Sequence, residues 1–571
     1  MLIDARTVEK NRRVEADICI IGTGPAGLTL IKDLAAEPMR ICAVESGGRN
    51  SDDNAQLLNE GTTISPDGYP ANLLTAARRR QLGGTANLWD DELNLGQGDE
   101  LVRLVPLDAI DFEKRDWIPY SGWPFGRAQL NRFYERALQL GGAGPFAYEV
   151  SDWKSHRSEL PIPTRRLGTV MSQFGSRTVF TRDLPNAAAS APNVSVYLNA
   201  TVLELILNNG HARSVRIAVS PGHEFQISAT IFVLAAGGIE NARLLLLSNQ
   251  PHGVGNQHDL VGRFFMDHPT FRVGVLSPTD RNVFCSAGLY DHHVVNGVPV
   301  MGKFVFGEEV LRRERMLNFC ATITPRGRAY ESRAFNIIKR AAKMKSTDAA
   351  KLLAKEFRSI AAGSVDVLLN GYERLVNKKP GYFENKGGWS RLQDNERRFW
   401  KFEVRCLAEQ SPNPENRVRL SDDRDQLGQR KVQLHWRWSE LDLQSIRRAQ
   451  EILKEEVEQC GLGRFETQRY LDWEQPPTVA SPHHHLGTTR MHASPTEGVV
   501  DANCRVHGVS NLYVAGSSVF PTGGFANPTL TIIALALRLS YHVKELMKSP
   551  ASSVSSPIAA GTTLTDSGSS A

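Results

Sequence analysis

Apolar residues fall into short, sharply bounded runs along this chain, and the spacing inside each run separates strand from helix. Ala16-Asp17-Ile18-Cys19-Ile20-Ile21 is compact and β-branched, the pattern of a strand buried in a parallel sheet. Residues 28–36 read as a helix, and residues 40–45 as a second strand that ends on the acid Glu45. Residues 194–198, 200–205, 215–219 and 224–228 predict a meander of strands. Residues 230–236 predict a further strand that feeds Gly237-Gly238 and a helix from Glu240. That strand is expected to rejoin the first sheet, which makes the first unit discontinuous in sequence.

Later runs are of a different kind. Residues 311–378 are helix-prone and rich in Lys and Arg. Within them, residues 335–358 carry apolar positions at roughly helical spacing, so a helical insert on the surface is expected. Residues 402–410 alternate in part before Ser411-Pro412-Asn413-Pro414. Residues 441–460 predict an amphipathic helix with Ser439 as its cap and Gly461 just past its end. From Pro550 the chain is Ser, Thr, Ala and Gly with almost no large apolar residue, the composition of a disordered tail.

At 571 residues the chain is too long for one ordinary core, so at least two domains are expected. Hydrophobic and charged contents of 41% and 23% are those of a globular protein in water. The net charge of +5 is small for this length and no compact Lys/Arg block stands out, which argues against nucleic acid as a partner. No apolar run approaches the ~20 residues that span a bilayer. The seven cysteines are odd in number and scattered, giving neither a disulfide framework nor a metal-binding pattern. With a polar, charged N-terminus in place of a secretory signal, a reducing, cytoplasmic location is expected.

The first strand runs into Gly22-Thr23-Gly24-Pro25-Ala26-Gly27. Strand, glycines, helix, strand and acid stand in the order of a dinucleotide-binding fingerprint. Gly22 allows the tight turn, Gly24 lets the backbone approach a pyrophosphate at the helix N-terminus, and Gly27 permits close packing of helix on strand. Glu45 is placed to accept hydrogen bonds from a ribose, and an acid there disfavours NADP. NAD and FAD both fit this motif.

Gln81-Leu82-Gly83-Gly84-Thr85-Ala86-Asn87-Leu88-Trp89 follows three arginines. Further on stand Ala235-Ala236-Gly237-Gly238-Ile239-Glu240-Asn241, then His484-His485-Leu486-Gly487-Thr488-Thr489-Arg490-Met491 and Ala526-Asn527-Pro528-Thr529. Taken together and in this order, these motifs resemble the glucose–methanol–choline (GMC) flavoprotein oxidoreductases. The resemblance is nearest to the branch that holds pyranose oxidase and bacterial sugar and glycoside oxidases and dehydrogenases. It implies an α/β fold (α+β overall), with a discontinuous Rossmann-type FAD-binding domain and a substrate domain built on a mostly antiparallel sheet with flanking helices. The expected division is residues 1–90, 191–270 and 476–548 for FAD. Residues 91–190 would supply lid and substrate-domain elements, 271–475 the substrate domain, and 549–571 the tail.

The resemblance also implies roles. Gly84, Thr85 and Asn87 would lie against the flavin ring, with Arg80 of the same segment also binding the cofactor. Backbone at Val202 would contact the adenine. Gly516 and Ser517 would approach the ribityl and phosphate groups, and Thr529 would sit where the last helix meets the flavin. Some pyranose oxidases attach FAD through a histidine at the position of Leu88, so non-covalent FAD is expected. Residues 111–119 and 121–125 resemble the family's lid-like region. The family's catalytic histidine precedes the glycine of the Gly-Thr pair by three residues, which is His484, and its partner would be Asn527. Gln410 is a candidate for binding a sugar hydroxyl. His268, before Pro269, reads as a packed or capping residue. No metal is expected, because His483, His484 and His485 are adjacent and point apart.

The implied activity is oxidation of a secondary hydroxyl of a sugar or glycoside to a ketone, by hydride transfer to flavin N5 with His484 as base. A non-sugar alcohol, or hydroxynitrile-lyase chemistry on the same scaffold, are the alternatives. The acceptor would be oxygen or a soluble or protein acceptor. The sequence leaves room for an oligomer.

Overall fold

The computed structural model describes residues 1–89, 91–92, 100–153, 157–162, 166–327, 333–342, 344, 346–362, 364–365, 368, 387–468 and 483–548. The Arg13–Ile21 strand lies at the centre of an eight-stranded sheet. On one side it pairs in parallel with Ile41–Val44, which is followed by Val194–Leu198 and Leu2–Asp4, all parallel. On the other side lies His223–Leu234, a 12-residue strand with two kinds of neighbour. Its first half pairs antiparallel with His211–Ser220, which in turn pairs with Thr201–Asn208. Its last residues pair in parallel with Leu512–Val514. One long strand therefore serves both the expected meander and the expected return to the first sheet.

Val194–Leu198 departs from the expectation. It is not a member of the meander but a parallel strand between Leu2–Asp4 and Ile41–Val44. Val194, Val196, Tyr197 and Leu198 are buried, as both faces of a central parallel strand must be. Close packing of the first helix, Pro25–Leu34, depends on Gly27: a Cβ there would stand 2.0 Å from the carbonyl oxygen of Gly22.

A nine-stranded sheet forms the second layer, and every described pair in it is antiparallel. Its middle runs Thr270–Pro278, Lys401–Ala408, Phe319–Arg326, Val298–Phe306 and Leu167–Ser176. Phe402, Val404, Phe319, Ile323 and Phe304 point to one face, where Ile446, Ala449, Ile452 and Leu453 of the Glu440–Gln459 helix help close a core. That helix begins on a capping box in which Ser439 accepts from Asp442 N and Asp442 accepts from Ser439 N, and Gly461 follows at φ +71°. A small third sheet joins Arg417–Arg424, Arg430–His435 and Gly61–Ile64.

The helix-prone stretch is corrected in part. Phe319–Arg326 lies inside it and is a central strand, because Phe319, Ala321 and Ile323 alternate into the core at a period of two. Helices follow at Arg333–Ala341, Ser346–Lys355 and Phe357–Ala362. Residues 328–332, 343, 345, 363, 366–367 and 369–378 of that stretch, and the tail 549–571, lie outside the described residues. Among the described residues no helix is long and apolar enough to cross a membrane.

Candidate active site

The strand ends of the first sheet, the glycine loops and the His483–His485 segment open onto one cavity. Of the residues singled out from the sequence, Gly22, Gly24, Glu45, Arg80, Gly84, Thr85, Val202, His484, Gly516, Ser517 and Thr529 line it. The two glycine loops touch: a Cβ on Gly84, which sits at φ +56°, would stand 2.7 Å from Gly24 Cα. Gly237 and Gly516 border open space, since a Cβ on either would meet nothing within 4 Å.

Four of the expected residues, Gly27, Asn87, Gln410 and Asn527, do not line the cavity. Gly27 acts from behind, through packing. Asn87 holds the glycine turn, its Nδ2 donating to the carbonyls of Leu82 (3.1 Å) and Gly84 (2.9 Å). Gln410 is fully buried, and its Oε1 accepts from Asp267 N (2.9 Å) and Trp436 Nε1 (3.2 Å). It supports Asp267 where the sequence suggested a contact with substrate. The aromatic segments at 111–125 are core as well: Phe112, Trp123, Phe125 and Phe520 pack together, and Trp123 Nε1 donates to Thr522 Oγ1 at 3.1 Å.

Glu45 is buried, which raises its pKa. Its oxygens accept from Gly47 N (2.9 Å), Thr23 Oγ1 (2.7 Å) and Thr23 N (3.1 Å), which act in the opposite sense. A cluster missed in the sequence lies in the same wall. Glu240 receives Arg78 Nη1 at 2.5 Å and Arg80 Nη2 at 2.9 Å, with Arg243 at 3.5 Å. Burial favours the neutral acid, but Arg80, Arg243 and Arg78 together outweigh it and hold the carboxyl well below its usual range. The run of three arginines carried the signal; its partner, 160 residues on, did not.

His484 keeps an edge open to the cavity. Its Nε2 lies 3.3 Å from Asn527 Nδ2, its Nδ1 lies 3.1 Å from His268 Nδ1, and its backbone N donates to Asp267 Oδ1 at 3.0 Å. Burial, and then the neighbouring histidines, lower its pKa well below 6.5, so the ring is neutral at neutral pH. Asp267 is the hub of this arrangement. Its Oδ1 also accepts from His268 N at 2.7 Å, and its Oδ2 accepts from Tyr69 OH at 2.7 Å. His485 is buried with its pKa lowered to about 3, by desolvation first and then by Arg78, while His483 is exposed. His268, expected only to pack, stands beside His484 in the site.

Sequence comparison gives this geometry its context. The GMC oxidoreductase family model matches residues 412–536, which include His484 and Asn527. The chain is 33% identical to a C-glycoside 3-oxidase from Microbacterium trichothecenolyticum, over 95% of this chain and 98% of that protein. It belongs to the GMC oxidoreductase family. Another relative is the fructose dehydrogenase large subunit of Gluconobacter japonicus, 28% identical over 55% of this chain; the match spans about half of that protein, 47%. A solved formate oxidase shares the fold at 15% identity and a TM-score of 0.51, covering 95% of this chain and all of the other.

As a GMC oxidoreductase, the protein is an enzyme that acts on CH–OH groups, and its relatives include sugar and glycoside oxidases and dehydrogenases. The family implies FAD. The residues present fit that cofactor. Gly24, at the N-cap of the Pro25–Leu34 helix, opens onto the cavity with no side chain to block a phosphate, and the open space beside Gly237 and Gly516 extends the cradle.

Proposed function

We propose that this enzyme oxidises a secondary hydroxyl of a sugar or glycoside to the ketone, with non-covalent FAD, and that oxygen is its acceptor. The observation that carries this reading is the neutral His484 ring held against Asn527 in the wall of the cofactor cavity. The near full-length likeness to a C-glycoside 3-oxidase supports the substrate class. Leu88, where a tethering histidine would stand, offers no nucleophile for a covalent link.

When bound, FAD would supply the two-electron acceptor for a hydride from the carbinol carbon. His484 Nε2 takes the hydroxyl proton, so the C–H pair leaves as hydride, the O–H proton goes to imidazole, and C=O forms. Asn527 donates from its amide and orients the same oxygen. Gly22, Gly24, Glu45, Arg80, Gly84, Thr85, Val202, Gly516, Ser517 and Thr529 hold the cofactor, with Gly27 and Asn87 shaping the loops that do so. Residues 1–90, 191–270 and 476–548 form the cofactor unit in this reading, and residues 91–190 and 271–475 supply the substrate side.

A positioned general base contributes ~10²–10⁴-fold. His484→Ala is expected to slow anaerobic flavin reduction by that factor while the purified protein keeps its flavin absorbance. Reduction at the native rate sinks the assignment. The same assay with sugars, glycosides and simple alcohols tests the substrate class, and hydrogen peroxide release on admitting air tests the acceptor.

A further inference from the structure

The Nδ1 atoms of His268 and His484 face each other at 3.1 Å. One must carry a proton and the other must not, because two N–H groups or two bare lone pairs would repel at that distance. The far nitrogen of His268 decides between them. Its Nε2 lies 3.2 Å from the carbonyl oxygen of Gly523, which can only accept, so Nε2 carries hydrogen. His268 is fully buried and desolvation lowers its pKa to about 4, so the ring is neutral and has one N–H to place. Its Nδ1 is therefore bare.

His484 must then donate from Nδ1, and as a neutral ring it leaves Nε2 bare. The other side of the ring agrees: Asn527 Nδ2, a donor, stands 3.3 Å from that Nε2. In the opposite tautomer the amide of Asn527 would have to turn over and the His268–Gly523 bond would break.

We propose that His268 is a positioning residue that fixes the tautomer of His484, accepting its Nδ1–H so that Nε2 faces the substrate as the proton acceptor. The inference rests on His484 as the base. Asp267 registers the two rings, since its Oδ1 accepts from the backbone N–H of both histidines, at 2.7 Å and 3.0 Å. A wrong tautomer in an otherwise intact base is costly in other enzymes, so the tautomer is as much a part of the site as the base itself.

The test uses the FAD-loaded full chain with histidine-selective ¹⁵N labelling, His484 being assigned by its loss in His484→Gln. The expected spectrum has His484 protonated at Nδ1 and bare at Nε2. His268→Leu, which removes the acceptor, should give mixed tautomers and slow flavin reduction by roughly 10²-fold. His268→Asn, whose Oδ1 can replace Nδ1 as acceptor, should restore most of both. A native spectrum with His484 protonated at Nε2, or an unchanged tautomer in His268→Leu, overturns the proposal. If His268→Leu does not fold, the native spectrum decides alone. Failure of the base assignment is distinct: His484→Gln would then reduce flavin normally, whatever the spectrum says.

Discussion

Asp267 is the residue whose removal tests the site's architecture most directly. Its two oxygens take three described donors: the backbone N–H of His268 at 2.7 Å and of His484 at 3.0 Å, and Tyr69 OH at 2.7 Å. Asp267→Ala strands all three in a buried place. A buried donor left unpaired costs ~1–3 kcal/mol, so three give ~3–9 kcal/mol, and water entering the vacated volume brings the expectation to the low end, about 3–5 kcal/mol. Asp267→Asn keeps Oδ1 for the two backbone donors, and its amide can donate to the Tyr69 oxygen. Only charge assistance is lost, and burial already disfavours the ionised form, so about 1–2 kcal/mol is expected. Urea unfolding followed by tryptophan emission, with Trp436 in the same cluster, measures the stability difference. Stopped-flow flavin reduction measures what looser anchoring of His484 does to the chemistry. An Ala variant within 1 kcal/mol of the native protein, or an Asn variant as damaged as the Ala one, would refute the role of those three bonds.

Two further outcomes follow from the geometry. Gly27→Ala places a Cβ 2.0 Å from Gly22 O, so the first helix must shift away from its strand; the flavin-to-protein absorbance ratio of the purified variant should fall sharply, and a fully loaded variant contradicts the packing argument. The buried histidines make the fold acid-sensitive: His268 and His485 have pKa values lowered to about 4 and about 3, so between those values and 6.5 the unfolded chain binds more protons than the folded one. Their contribution is complete above pH 6.5 and is lost as pH falls, by about 3 kcal/mol for His268 at ~1.4 kcal/mol per unit. His485→Gln should accordingly flatten the fall in melting temperature between pH 7 and 4; an unchanged slope refutes it.

Short-range features were legible because their causes are short-range. A turn that needs Gly22 at φ +102°, a helix opened by Pro25 and a Ser439 capping box each depend on neighbours within a few residues. The choice of His484 and Asn527 came from motifs, and the fold brings the two together across 43 residues. Strand membership was harder: residues 194–198 look like any apolar strand, and only sheet order shows that they pair with Ile41–Val44. Residues 319–326 sit in a helix-prone neighbourhood, and a core on one face of a sheet decided for strand.

What the sequence by itself determined, then, was the nucleotide fingerprint, the family resemblance and the histidine at the site. Tertiary structure decided the identity of each side chain's partner. Gln410 looked free to meet a substrate, yet Asp267 and Trp436 occupy its carbonyl oxygen. Asn87 looked aimed at the flavin, yet it ties down its own turn. His268 looked like packing, yet its ring meets that of His484 from 216 residues away. A hydrogen bond depends on distance and direction within tenths of an ångström, and such placement comes only from the packing of whole sheets against one another.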